Sequence, residues 1–261
     1  EDIDYTNKNV IVIGSGATAV TLVPELSKEA AHVVMLQRTP TYVMTLPGQD
    51  KIALFLRKIL PEKTAYHIIR WKNVLMGLGF YNASRKWPDA IKKFILKGVQ
   101  KELGEAYREQ DFNPPYKPWD QRLCIVPDSD MFKALKSGKA EIVTDHIERF
   151  TEKGIRLKSG KELAADLIVT ATGLKVQLLG GMQISINGVP GNTASTYAYR
   201  GVMFSDVPNF AFTVGYTNAS WTLKCDLSSR FVTKVINYMD KNGYKTCTPK
   251  FDPNKFDTEP L

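Results

Sequence analysis

Cysteine and histidine are scarce in this sequence and poorly placed for chemistry. Cys124, Cys225 and Cys247 are an odd set without C-x-x-C spacing. That excludes a zinc ribbon and a disulfide framework, and fits free thiols of a reducing compartment. His32, His67 and His146 are scattered and join no carboxylate or cysteine cluster, so they read as surface or packing residues and no metal is expected. No uninterrupted apolar run reaches the ~20 residues of a membrane-spanning helix, and no secretory leader pattern opens the chain. Helix-turn-helix, RNP and zinc-finger patterns are absent as well, which excludes the common nucleic-acid binders.

What is there is an ordinary globular composition, 43% hydrophobic and 24% charged, over 261 residues, enough for two modest domains. The formal charge of +8 implies an anionic partner, and a phosphorylated cofactor suffices to explain much of it. The opening Glu1-Asp2-Ile3, without Met, reads as the edge of a longer chain. The expected location is the cytoplasm.

The informative stretch lies between residues 9 and 38. Asn9-Val10-Ile11-Val12-Ile13 has strand character and Gly14-Ser15-Gly16-Ala17-Thr18-Ala19 follows it. An amphipathic run then leads to His32-Val33-Val34-Met35-Leu36-Gln37-Arg38, a second apolar run ending in a cation. This is a βαβ unit with a G-x-G-x-x-A dinucleotide fingerprint. Gly14 permits the tight turn, Gly16 keeps side chains away from a diphosphate, and Ala19 lets the helix lie close to the strand. The helix N-terminus offers its unpaired N–H groups to the phosphates. An NAD site usually places Asp or Glu at the end of the second strand; this chain has Gln37-Arg38-Thr39. A guanidinium beside a hydroxyl suits a 2′-phosphate and favours NADP(H), the alternative being a solvated strand-end charge.

Residues 39–43, with Pro40, read as a loop. From about 50 to 110 the sequence turns helical and basic, with amphipathic segments at 51–60, 63–81 and 88–103. Three readings of this insertion stay open: a cap packed on the sheet, a lid over a substrate tunnel, or a membrane-surface element, since cations flank Trp71, Trp87 and Phe94. Pro114, Pro115 and Pro118 make the following segment stiff and extended, so Arg122 stands on a rigid approach. A short helix is expected at 130–137, then a β-meander of strands at 141–143, 147–150, 155–157 and 162–163. A buried parallel-type strand at 167–171 runs into Thr172-Gly173. Beyond it, short strands at 183–187 and 201–205, a buried strand at 209–215, a loop at 216–220 and a helix at 221–240 are expected. The strand, loop and helix N-terminus form a second corner suited to an anion or a carbonyl.

Several of these stretches resemble the flavin-containing monooxygenases of the Baeyer–Villiger type, in the group that includes ethionamide-activating bacterial monooxygenases. They are Gly14-Ser15-Gly16-Ala17-Thr18-Ala19, Gln37-Arg38-Thr39-Pro40-Thr41-Tyr42, Pro118-Trp119-Asp120-Gln121-Arg122-Leu123-Cys124 and Val214-Gly215-Tyr216-Thr217-Asn218-Ala219-Ser220-Trp221. Asp166-Leu167-Ile168-Val169-Thr170-Ala171-Thr172-Gly173 matches the D-x-x-x-x-A-T-G motif of that superfamily. The resemblance implies an α/β fold of the two-dinucleotide-binding flavoprotein type with NADP(H) and FAD as cofactors. It implies hydride transfer from NADPH to flavin, with O2 and a ketone, sulfide or amine as the other reactants.

By residue, the resemblance implies that the Gly14–Ala19 loop takes the NADPH diphosphate and that Arg38 with Thr39 takes the 2′-phosphate, beside Gln37 and Gln121. Arg122 aligns with the active-site arginine. Ala171, Thr172 and Gly173 would line the cofactor crossing, and Tyr216, Asn218, Ser220 and Trp221 would face the flavin ring. An FAD fingerprint and the F-x-G-x-x-x-H-x-x-x-W motif, which precede this region in the family, do not occur here. Residues 1–165 are therefore expected to form the NADP domain and 166–261 the return segment of the FAD domain. A non-catalytic NADP-binding module is the alternative; a plain dehydrogenase lacks its Tyr-x-x-x-Lys. Self-association is left open.

Overall fold

The computed structural model describes residues 3–121, 123–175, 177–191, 196–216, 221–252 and 254–255. The chain divides into two compact units, Glu1–Leu174 and Lys175–Leu261.

The first unit is built on a four-stranded parallel sheet. Its strands are β1 (Asn9–Ile13), β2 (His32–Gln37), β5 (Ala140–Thr144) and β9 (Leu167–Thr170), in the order β5-β2-β1-β9. Helix α1 (Ala17–Leu26) crosses from β1 to β2. Each strand alternates its side chains between two covered faces, which is why β1 and β2 are nearly unbroken apolar runs. On one face Val10, Val12, Val33 and Met35 pack with Ala19, Val20 and Val23 of α1, and with α4 (Pro88–Leu103) and α6 (Asp130–Lys136). On the other, Ile11, Ile13, Val34 and Leu36 meet Ile155, Leu157 and Leu163. Those three belong to an antiparallel meander of β6 (Ile147–Thr151), β7 (Gly154–Leu157) and β8 (Glu162–Ala164). Burying one such aliphatic side chain is worth roughly 1.5–3 kcal/mol, so the two faces carry most of this unit's stability.

The insertion comprises α2 (Lys51–Ile59), α3 (Glu62–Lys86), α4 and the short α5 (Glu109–Phe112). Punctuation in the sequence sets these limits. Asp50 caps α2 by accepting from the Ala53 N–H at 3.0 Å. Pro61 precedes α3, and Pro88 opens α4 where a missing N–H costs nothing. Strands β3 (Tyr42–Leu46) and β4 (Leu123–Pro127) form a separate parallel pair that brackets the insertion, with Tyr42 opposite Leu123.

The structure differs from the sequence reading in four places. Residues 140–144 join the parallel sheet beside β2 and leave a three-stranded meander, because a short apolar alternation does not reveal its partner. Tyr42 and Val43 begin a strand, although Pro40 just before them suggests a loop. β9 is an edge strand, half-buried rather than fully buried, and it pairs with β1; the first compact unit ends at Leu174. The buried strand expected at 209–215 is absent: single bonds from the Asn209 N–H to Cys247 and the Phe212 N–H to Val202 replace a ladder among the described residues.

The second unit holds two short hairpins, β10 (Ser185–Ile186) with β11 (Val189–Pro190) and β12 (Ala198–Tyr199) with β13 (Met203–Phe204). Its apolar centre is Val202, Met203, Phe204 and Val207, with Phe212 stacked on Phe204 at 4.4 Å between centroids. Helix α7 (Trp221–Asn242) has Ser228 as its buried residue.

Candidate nucleotide-binding site

Strand order fixes where a ligand sits. The chain leaves β1 for β2 on one side, while β9 returns on the other, so β1 stands at the switch point of the sheet, where the carboxyl ends of the strands open a crevice. The register brings the three candidate segments to that edge. Ile13 lies opposite Leu36 and opposite Thr170, so Gly14, the Gln37–Thr39 turn and Ala171-Thr172-Gly173 follow side by side.

Gly14 has φ +133°, and a Cβ there would sit 2.3 Å from the Ala171 carbonyl oxygen. The turn is therefore closed to any side chain, and β9 approaches it because the Ala171 N–H bonds to Ile13 O at 2.8 Å. Gly16 is the N-cap of α1 and supplies no capping side chain, and the first turn of the helix holds no acidic residue. The opening amides of a helix have no intrahelical acceptor, so the positive end of α1 stays available to an anion. Ala17 and Thr18 are exposed there, while Ala19 is fully buried against the sheet, as helix–strand contact requires.

Ser15 has a role that a spacing pattern does not reveal. Its hydroxyl donates to the Thr39 carbonyl at 3.2 Å and lies 2.9 Å from Thr41 Oγ1. It thus ties the glycine turn to the loop that carries Arg38 and Thr39. Arg38 is exposed and makes no ion pair among the described residues. Gln37 is engaged within the protein. Its side chain is buried and its amide donates to Asp111 O at 2.9 Å and to Thr144 Oγ1 at 2.8 Å, so it braces the ends of β2 and β5.

That bracing network was not legible in the sequence. Asp111 is 2% exposed; its carboxylate accepts from Thr144 Oγ1 at 2.7 Å and pairs with Arg108 Nε at 2.7 Å, and Arg108 also donates to Ile142 O. A buried carboxylate is kept in place by its cation and hydroxyl together. Only its position next to the proline segment hinted at it.

The proline segment is held as the sequence suggested, at more points than prolines alone provide. Tyr42 donates its hydroxyl to Tyr116 O, and Tyr116 donates to Pro40 O at 3.2 Å. Burial, and then the neighbouring Tyr116 hydroxyl, push the Tyr42 phenol up to about 12. Lys92 donates to Pro114 O at 2.7 Å, and Arg85 pairs with Asp120 at 2.7 Å, holding that carboxyl below its ordinary value. Trp119, at φ +70°, packs edge-on against Phe80 and Tyr81. Gln121 is exposed at the end of this segment. Arg122, Asn218 and Ser220 lie outside the described residues.

In the second unit, Tyr216 and Trp221 are both exposed and flank the expected corner. Gly215 lies against Trp221, where a Cβ would come within 2.1 Å of the indole, and Lys224 Nζ stands 6.0 Å from the Tyr216 ring centroid. A groove of about 760 Å³ runs along α7 elsewhere in this unit, lined by Arg200, Arg230, Phe231, Lys234, Tyr238 and their neighbours. No cluster of His, Cys, Asp or Glu suited to a metal exists among the described residues.

A parallel sheet with an uncapped helix and a side-chain-free turn at its switch point defines a Rossmann-type dinucleotide-binding domain. More particularly, the chain is homologous to FAD-containing monooxygenases. It is 56% identical over 248 residues to the FAD-containing monooxygenase EthA of Mycobacterium tuberculosis, a match covering 94% of this chain and 51% of that protein. It is 51% identical over 253 residues to the probable FAD-binding monooxygenase AlmA of Acinetobacter baylyi, covering 97% of this chain and 51% of the relative. The chain thus spans about half the length of the curated relatives it matches. No family model matches. Among solved structures, OTEMO with FAD and NADP superposes with a TM-score of 0.71 at 19% identity over 96% of this chain and 55% of that one. An oxidized steroid monooxygenase bound to NADP gives 0.70 at 19% over 97% and 57%. At that identity the likeness establishes the fold, which is the one the sequence motifs implied.

Proposed function

We propose that this chain is the NADPH-binding and flavin-facing part of an FAD-dependent monooxygenase. The observation that carries the reading is the Gly14 turn, closed to side chains by Ala171 O and set beside an exposed Arg38 with no carboxylate partner among the described residues. These residues fit NADP(H). The diphosphate would rest on the amides of residues 16–19 at the positive end of α1, and Arg38 with the Thr39 hydroxyl would hold the 2′-phosphate. Ser15 keeps those two binding elements at a fixed separation.

When bound, NADPH supplies a hydride to the flavin, which then delivers one oxygen atom of O2 to a ketone, sulfide or amine. The chain's own residues position and polarise. Arg122, which follows the braced 113–121 segment in sequence, would supply the cation for negative charge developing beside the nicotinamide and flavin. The sequence carries no second glycine fingerprint for the flavin diphosphate.

The test mixes the purified chain with FAD and NADPH in air and follows absorbance at the nicotinamide band and O2 consumption. Consumption of both supports the monooxygenase reading for this chain. NADPH binding without O2 consumption assigns it instead as a nucleotide-binding module whose flavin half is supplied elsewhere. Failure to bind NADPH overturns both.

A further inference from the structure

The turn that carries Arg38 is gripped at both ends by one short stretch of chain. Gln37 closes β2 and Tyr42 opens β3, and each reaches a partner between residues 111 and 116, where the helical insertion ends. At the first end the buried Gln37 amide donates to Asp111 O and to Thr144 Oγ1. The Thr144 hydroxyl donates in turn to Asp111 Oδ1 at 2.7 Å, and Arg108 closes the network on Oδ2. At the second end the Tyr42 hydroxyl donates to Tyr116 O, and the Tyr116 hydroxyl donates to Pro40 O. The two tyrosine rings meet edge to face with centroids 5.6 Å apart. Ser15 holds the middle of the turn through Thr39 and Thr41, and Arg38 stands exposed between these fixed neighbours.

The hydrogen-bond directions bear on nucleotide choice as well as on stability. Both protons of the Gln37 amide and the proton of Thr144 are committed to oxygen acceptors, so these groups have none left to donate. A carboxylate at position 37, close to where an NAD site carries its acid, would meet lone pairs and the Asp111 charge. The network thus demands an amide at 37 and leaves the choice of nucleotide to the next residue. Arg38 is long and rotamer-rich, and a held backbone limits the positions its guanidinium must give up on engaging a phosphate. We propose that Asp111, Thr144 and Tyr116 are positioning residues for nucleotide selection, setting through Gln37 and Pro40 the place from which Arg38 reaches the 2′-phosphate. The end of the insertion thereby takes part in choosing the cofactor. The proposal rests on the NADP(H) reading of the Gly14 site.

The test titrates NADPH and NADH calorimetrically into the parent chain, Thr144→Val, Thr144→Ser and Tyr116→Phe, with urea denaturation as the control for folding. Tyr116→Phe removes one oxygen from a half-buried side chain, which keeps the proposal falsifiable if Thr144→Val does not fold. Thr144→Val and Tyr116→Phe are each expected to weaken NADPH by roughly 3- to 10-fold and to leave NADH unchanged, while Thr144→Ser keeps the parent's preference. In an Arg38→Ala background Tyr116→Phe is expected to change neither nucleotide, because the residue it positions is gone. Equal weakening of both nucleotides assigns the network to stability alone and overturns the proposal, as does an unchanged preference in both variants. A further loss of NADPH affinity in the Arg38→Ala background overturns it too. A parent that binds NADPH and NADH alike overturns the NADP(H) reading itself and the proposal with it, an outcome distinct from the others.

Discussion

Replacing Gly14 by alanine is the sharpest perturbation of the proposed site. At φ +133° a non-glycine backbone is strained, at a cost of about 1–3 kcal/mol. The new Cβ would also stand 2.3 Å from the Ala171 oxygen and 2.9 Å from its carbon, both backbone atoms, so no rotamer relieves the clash. Either the turn or the end of β9 must move, and moving β9 breaks the Ala171 N–H to Ile13 O bond, worth about 1 kcal/mol. The sum is about 2–4 kcal/mol, a large part of the roughly 5–15 kcal/mol that stabilises a typical domain. A shifted turn also carries its amides off the diphosphate; losing one hydrogen bond to a charged group, about 1.5–3 kcal/mol, weakens NADPH by roughly 10- to 150-fold. Urea denaturation and a fluorescence titration with NADPH measure the two effects. A Gly14→Ala protein within about 0.5 kcal/mol of the parent and with unchanged NADPH affinity would refute the reasoning.

Three other substitutions probe the scaffold around the site. Gly98 lies inside α4, and the space a Cβ would occupy there is open to 4 Å, so Gly98→Ala is expected to stabilise by about 0.5–1 kcal/mol in the same urea assay. Asp111→Ala removes the carboxylate that Arg108 and Thr144 share; because Arg108 remains half in water, the loss is expected at roughly 2–3 kcal/mol, below that of a fully buried pair. The Tyr42 phenol stays protonated in the folded chain up to about 12, whereas an unfolded tyrosine ionises near its ordinary 10.0. The folded state therefore holds this proton more tightly, and its contribution is intact below pH ~10 and lost as pH rises towards 12. Thermal melts across that window are expected to fall more steeply for the parent than for Tyr42→Phe.

The sequence was informative where punctuation and period coincide. The glycine turn, α1 and the three long insertion helices stand where the motif, Pro61 and Pro88 put them, because each boundary is set by a local conformational constraint. Partnership was harder to read. Residues 140–144 and 209–215 have similar apolar texture, yet one fills a parallel edge beside β2 and the other forms no ladder among the described residues; which occurs depends on neighbours remote in sequence. Side-chain direction was harder still. Gln37 and Arg38 are adjacent at the end of β2, and the alternation of a strand turns the first into the Asp111–Thr144 network and leaves the second in the open. The ties from Ser15 to Thr39 and from Tyr42 to Tyr116 span 24 and 74 residues, and no local pattern announces them.

The most direct test of the central claim is calorimetric titration of NADPH and NADH into the chain and into Arg38→Ala. A guanidinium on the 2′-phosphate gives the parent a preference for NADPH of roughly 10- to 150-fold, which collapses in the variant while NADH affinity stays the same. Equal affinities for the two nucleotides in the parent, or a preference that survives the loss of Arg38, would contradict it.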